Sequence, residues 1–190
     1  MLERVRLRSR RTEVSVVTLK TSDSVPLDPP DRHHCKAALG YCELGMFDDA
    51  NAELERIDAF NRAAPEVLRV LVAIYHGLKK WEALQVVATQ LADSEPTKVQ
   101  WIVSLAYATR RAESIESARN VLFAAQWRFP REAVIPFNLA CYYCQLGELE
   151  TAKDYLRKAF EIDSTWREMA LEDKDLEPLW NFLGHDHNEQ

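Results

Sequence analysis

The run LACYYCQLGELETAKDYLRKA at residues 139–159 decides how the chain is read. Its apolar and small residues fall at Leu139, Ala140 and Tyr143, then at Leu149, Ala152, Leu156 and Ala159. Steps of three and four place each set on one face of a helix. Gly147 stands between the two sets, where the chain has to turn back. The stretch is therefore expected to form a helical hairpin.

Working outward, the same pattern returns every 34 residues: Ala50, Leu84, Ala118 and Ala152 form one column. Phe47, Trp81, Ile115 and Leu149 form a second, and Ala38, Val72, Ala106 and Ala140 a third. Breakers keep the same step at Pro96 and Pro130, with Arg62 and Ser164 in the equivalent outer slots. Gly45 marks the turn of the first unit as Gly147 marks that of the fourth, while Lys79 and Glu113 stand there in the second and third. Self-similarity at a fixed period of this length means stacked supersecondary units. The small residues fit that reading, because helices approach closely only where side chains are short.

The sequence resembles the tetratricopeptide repeat family over residues 31–164, on the strength of these columns. The fourth unit matches through Leu139, Ala140, Tyr143, Gly147, Leu149, Ala152, Leu156 and Ala159, and the first through Ala38, Tyr41, Gly45, Phe47 and Ala50. Tyr75, Trp81 and Pro96 carry the second, and Ala106, Ala118, Ala125 and Pro130 the third. Leu84 and Thr109 depart from the usual Ala and Tyr. The resemblance implies an all-α fold, an α-solenoid of about four hairpins at 31–64, 65–98, 99–132 and 133–164. Such a stack leaves an apolar end, so capping helices are expected within 165–190. Thr165 and Glu168 read as a capping box for the first of them, and Leu176, Leu179, Trp180 and Leu183 share a face of a second that Gly184 would stop.

Composition narrows the function. A net charge of -6 lacks the basic surface that nucleic acid demands, so no nucleic-acid partner is expected. Charges interrupt every apolar run well short of the ~18 residues of a membrane span, which leaves no membrane role. Four cysteines without a secretion signal suggest free thiols and a cytoplasmic protein. Residues 1–30 differ from the rest, with Arg4, Arg6, Arg8, Arg10, Arg11 and Lys20 ahead of Pro26, Pro29 and Pro30. A flexible basic tail is the first expectation; a transit peptide and a partner-pairing strand remain as alternatives.

In the resembled family the exposed stripe of each hairpin's first helix lines a concave groove. Here the stripe holds Cys35, Leu39, Arg69 and His76, then Tyr107, Arg110, Phe137 and Cys141, flanked by Arg111 and Asn138. It carries no acidic residue and is rich in Arg and aromatics, the composition of a binding surface rather than of a solvated helix side. The expected function is a non-catalytic scaffold or adaptor that holds a peptide or protein segment, with acidic residues suited to the arginines. Self-association through Trp166 and Trp180 is the alternative within that class, and filling of the groove by the chain's own tail is the bland reading. The family's carboxylate clamp for chaperone tails is not expected, since its positions hold Cys35, Leu39, Val70, Gln100 and Ser104.

An enzyme is not expected and no cofactor is implied. Phosphate-binding glycine loops, nucleophile elbows and zinc-protease motifs are absent from the sequence. Cys141-x-x-Cys144 is a thiol or metal half-site in form, but it lies inside a helix rather than at the N-terminus that would stabilise a thiolate. Cys35 and Cys42 sit three hairpins away in sequence, too far to complete a zinc sphere.

Overall fold

The computed structural model describes residues 27–185, which lie in helices, turns and short connections with no strand among them. The chain divides between Thr97 and Lys98 into two compact units.

The first unit contains α1 (Pro29–Glu43), α2 (Phe47–Leu54), α3 (Pro65–Gly77) and α4 (Trp81–Ser94). Both α1 and α3 open with proline, whose missing N–H is one that a helix start leaves unpaired anyway. The helices form two hairpins, α1 with α2 and α3 with α4, and α3 packs against both members of the first. Ala38 and Ala50 are fully buried in a core with Leu54, Val67, Val70 and Ile74. Gly77 shows how close the approach is: a Cβ there would lie 2.4 Å from the Phe47 ring. The second helix ends at Leu54. Ile57 nevertheless stays in the core. Buried Asp31 holds the following loop, accepting from the Asp58 N–H at 3.2 Å and from the Asn61 amide at 2.7 Å.

The second unit contains α5 (Val99–Ala112), α6 (Ile115–Ala125), α7 (Val134–Gln145) and α8 (Leu149–Ile162), followed by α9 (Trp166–Glu172), a 3-10 helix (Lys174–Leu179) and α10 (Trp180–His185). Hairpins again form in pairs, α5 with α6 and α7 with α8, and α6 packs on α7. Ala106, Ala118, Ala140 and Ala152, the small residues of the repeat, are all buried. Tyr143 and Tyr155 stack across the last hairpin with centroids 5.3 Å apart.

Three of the four hairpin turns share one backbone device. The amides of Gly45, Lys79 and Gly147 donate to the carbonyls of Cys42, His76 and Cys144, and the next amides, of Met46, Lys80 and Glu148, reach back to Tyr41, Tyr75 and Tyr143. This paired closure satisfies the last helical carbonyls and requires a left-handed residue at its corner. Gly45 and Gly147 adopt φ of 74° and 80°, and Lys79 is forced to 57° although it carries a side chain. The third turn is built otherwise: Glu113 keeps a negative φ, and the Ser114 hydroxyl caps α6 by accepting from the Ser117 N–H at 3.1 Å.

The C-terminal elements differ in detail from expectation. Thr165 does not cap α9 through its side chain; its hydroxyl and its amide both donate to Asp163 Oδ1, at 2.6 and 3.0 Å. The segment read as a second regular helix starts as a 3-10 helix containing Pro178, and α10 runs through Gly184 to His185. Of the flexible tail expected over residues 1–30, residues 1–26 fall outside the described residues, while Leu27 is buried in the core and Pro29 and Pro30 begin α1.

Candidate functional site

In the first unit the candidate stripe is largely turned to internal use. Cys35 and Leu39 pack against the core cluster, and the Cys35 thiol points to the Glu66 carbonyl at 3.7 Å. Arg69 is not a free cation for a ligand. Its guanidinium is paired with Glu95, and the two side chains are only 4% and 7% exposed. His76 lies half-buried on the same helix, edge-on to Trp81 at 5.9 Å. His34, on α1, is held by Glu53 at 2.8 Å.

In the second unit the stripe is gathered into one place, and a segment of the same chain lies on it. The C-terminal 3-10 helix packs on α7. Asp175 receives both terminal nitrogens of Arg110, Nη2 reaching Oδ1 at 3.2 Å, and Arg110 also sits over the Tyr142 ring. Gln145 Nε2 donates to the Asp175 carbonyl at 2.9 Å. Phe137 is buried with its ring 4.7 Å from that of Trp166, and Cys141 is buried with its thiol 3.9 Å from Asp173 Oδ2. Phe137 and Cys141 are therefore covered by the chain itself. Asn138 is spent on its own helix, donating to the Val134 carbonyl at 2.8 Å. Arg111 remains exposed, its guanidinium 5.3 Å above the Tyr107 ring and 3.4 Å from the Tyr107 hydroxyl. Trp166 and Trp180, the candidate oligomer contacts, are engaged within the unit, and Trp180 Nε1 donates to the Ala170 carbonyl at 3.2 Å.

The electrostatics follow from this covering. Desolvation pushes the Asp173 carboxyl above its usual range, against the help of the Asp175 amide that it accepts. The carboxylate of Asp175 holds Arg110 more firmly protonated than usual. Burial drives the Cys141 thiol well up, with Asp173 and Asp175 adding to it, and raises Cys144 as well. Cys35 and Cys42 are pushed to about 11, mainly by burial. A nucleophilic or redox thiol needs its pKa lowered, so the four free cysteines are tuned against thiolate chemistry. Among the described residues no group of three or more His, Cys, Asp or Glu side chains is placed to hold a metal ion, and no helix is long and apolar enough to cross a membrane.

No family model matches the chain, and no curated protein matches it. Among solved structures it is similar to one titled "MamA MSR-1 C2", with a TM-score of 0.60 and 23% identity over 70% of this chain and 76% of that one. Identity at that level speaks for the fold alone. The chain has an all-α, tetratricopeptide-like helical repeat fold of the α-solenoid class.

Proposed function

We propose that the chain is a non-catalytic scaffold that holds an acidic segment of a partner polypeptide against the first helices of its hairpins. The observation that carries this reading is Arg110: its fork is filled by the carboxylate of Asp175, from a segment laid along α7. The surface is thus chemically suited to acidic peptide, whether supplied in cis or in trans. Arg111 stacked on Tyr107 supplies an exposed cation and a flat apolar ring beside Arg110, a pairing common at the centre of protein interfaces. Half-buried His76, Leu39 and Cys35 are the corresponding candidates of the first unit. The raised thiol pKa values count against the thiol-chemistry alternative, and four free cysteines suit a reducing compartment such as the cytoplasm.

The test is an array of short peptides of graded charge, probed with the full chain and with Tyr107→Ala and Arg111→Glu variants. Acidic peptides are expected to be retained by the native chain and retained several-fold less by either variant. Retention that ignores peptide charge, or that both variants leave intact, refutes the reading.

A further inference from the structure

We infer that residues 173–179, Asp-Lys-Asp-Leu-Glu-Pro-Leu, are a resident ligand of the α5–α7 face, and that a partner segment with the same acidic and leucine chemistry takes their place. The inference rests on the scaffold reading above and names the peptide class that the face accepts.

Three observations favour a ligand over a plain end cap. A cap needs only to cover the last hairpin, yet Asp175 is gripped by Arg110 from α5, a helix of the preceding hairpin, 65 residues away in sequence. A cap is also best made of apolar residues, whereas this one brings the partly buried carboxylate of Asp173 against the Cys141 thiol, at a desolvation cost that apolar side chains would avoid. Third, the contacts divide as peptide recognition divides them. Arg110 and Gln145 fix the acidic turn by charge and backbone, and Leu176 and Leu179 are fully buried beside it. The segment around them is built of short pieces, a seven-residue helix and two six-residue ones, so a local exchange does not require a long helix to unwind.

Titratable groups facing the acidic turn are few: the cation Arg110 from α5, and from α7 Tyr142, Cys141 and Cys144, which burial keeps protonated and neutral. Arg110 is the cation that reads the segment. Specificity should therefore follow the position of the second carboxylate and of the leucine after it.

The experiment uses the full chain and the rate at which Cys141 is alkylated, followed by mass spectrometry. In Asp175→Lys the segment faces Arg110 with like charge, and Cys141 is expected to react about tenfold faster than in the native chain. A synthetic peptide of residues 166–185 added in trans should slow that reaction, while the same peptide with Lys at 173 and 175 should not. Arg110→Glu combined with Asp175→Lys restores the pair in reverse and should bring the rate back towards native. The milder Arg110→Gln serves should Asp175→Lys unfold the second unit, as judged by loss of amide exchange protection in α5 and α6. Native-like alkylation of Cys141 in the released variants, or a native-sequence peptide that leaves the rate unchanged, overturns the inference. Either result leaves the scaffold reading standing if the peptide array shows its charge preference, so the two failures are distinguishable.

Discussion

Removing one half of the Arg69–Glu95 pair tests whether the first unit spends its stripe arginine on itself. Both side chains are buried, and their pairing joins α3 to the residue that follows α4. Arg69→Met keeps the apolar stem and removes the charge, so Glu95 loses its guanidinium partner in a site that water barely reaches. Breaking a buried pair on one side costs about 3–5 kcal/mol, because the remaining charge keeps its desolvation penalty and loses its compensation. Against a typical domain stability of about 5–15 kcal/mol, that is a large fraction. The double variant Arg69→Met with Glu95→Leu removes both charges and should fall within about 1 kcal/mol of native, or above it. The two singles and the double form a cycle whose coupling isolates the pair. Because the chain divides into two units, a single whole-chain midpoint would mix them. Urea-dependent hydrogen exchange, read at amides of α3 and α4, measures the affected unit directly. A loss below about 1 kcal/mol for Arg69→Met is the signature of a solvated pair, and would return Arg69 to the set of ligand-facing cations.

Four further outcomes follow from local geometry. Lys79→Gly should stabilise the chain: a left-handed residue with a side chain pays about 1–2 kcal/mol, against about 0.5–1 for the extra freedom of glycine when unfolded, so a lower melting temperature would contradict the turn assignment. Gly77→Ala should destabilise, since overpacking against Phe47 costs about 1–3 kcal/mol and exceeds the helix-propensity gain of about 1, and Phe47→Leu should relieve it in a combined variant. Ser114→Ala should cost about 1 kcal/mol and deprotect the Ser117 amide, and unchanged exchange there would dismiss the cap. Asp173 binds its proton more tightly when docked than in the free segment, so its own contribution to docking is greatest below the ordinary value of 3.8 and is lost as pH rises through the raised one, opposite in sign to the Asp175–Arg110 pair, which needs an ionised carboxylate. Asp173→Asn keeps a capping acceptor for the Asp175 amide; exchange across 174–179, corrected for its intrinsic pH dependence, should be slower than native at neutral pH, with the gap closing in acid.

The hairpins were legible because their determinants are local. Small residues at 34-residue intervals and glycines at two of the turns act within a few residues of where they stand, whereas Pro29 and Pro30, read with the tail, open α1. Lys79 is instructive: a lysine gave no turn signal of its own, but the column containing Gly45 and Gly147 did, and at Lys79 the backbone follows the column, although at Glu113 it does not. The ends of elements were less legible. Ile57 belongs to the core but not to α2, and Asp163 rather than Thr165 binds the chain at the approach to α9. Apolar spacing reports burial, and burial does not distinguish a helix from the turn beyond it.

The candidate stripe was harder to read because its partners are distant in sequence: Glu95 is 26 residues from Arg69, and Asp175 is 65 from Arg110. A face poor in acid and rich in Arg, aromatics and Cys is one that something covers, but composition does not say whether the cover is another chain or the same one. One signal did bear on it. The helix Val134–Gln145, VIPFNLACYYCQ, carries no charged residue on any side, and nine of its twelve residues are buried. A helix apolar all round needs neighbours all round. Its hairpin partner α8 and the preceding α6 supply part of that cover, so the remaining face, holding Phe137 and Cys141, required an occupant from the start. The C-terminal segment, with leucines for the apolar face and a carboxylate for Arg110, is that occupant. The same logic separates the two arginines: Arg69 is matched inside its own unit by a buried acid, whereas Arg110 is matched by an acid on a short terminal segment, and only the second arrangement leaves the acid exchangeable for another.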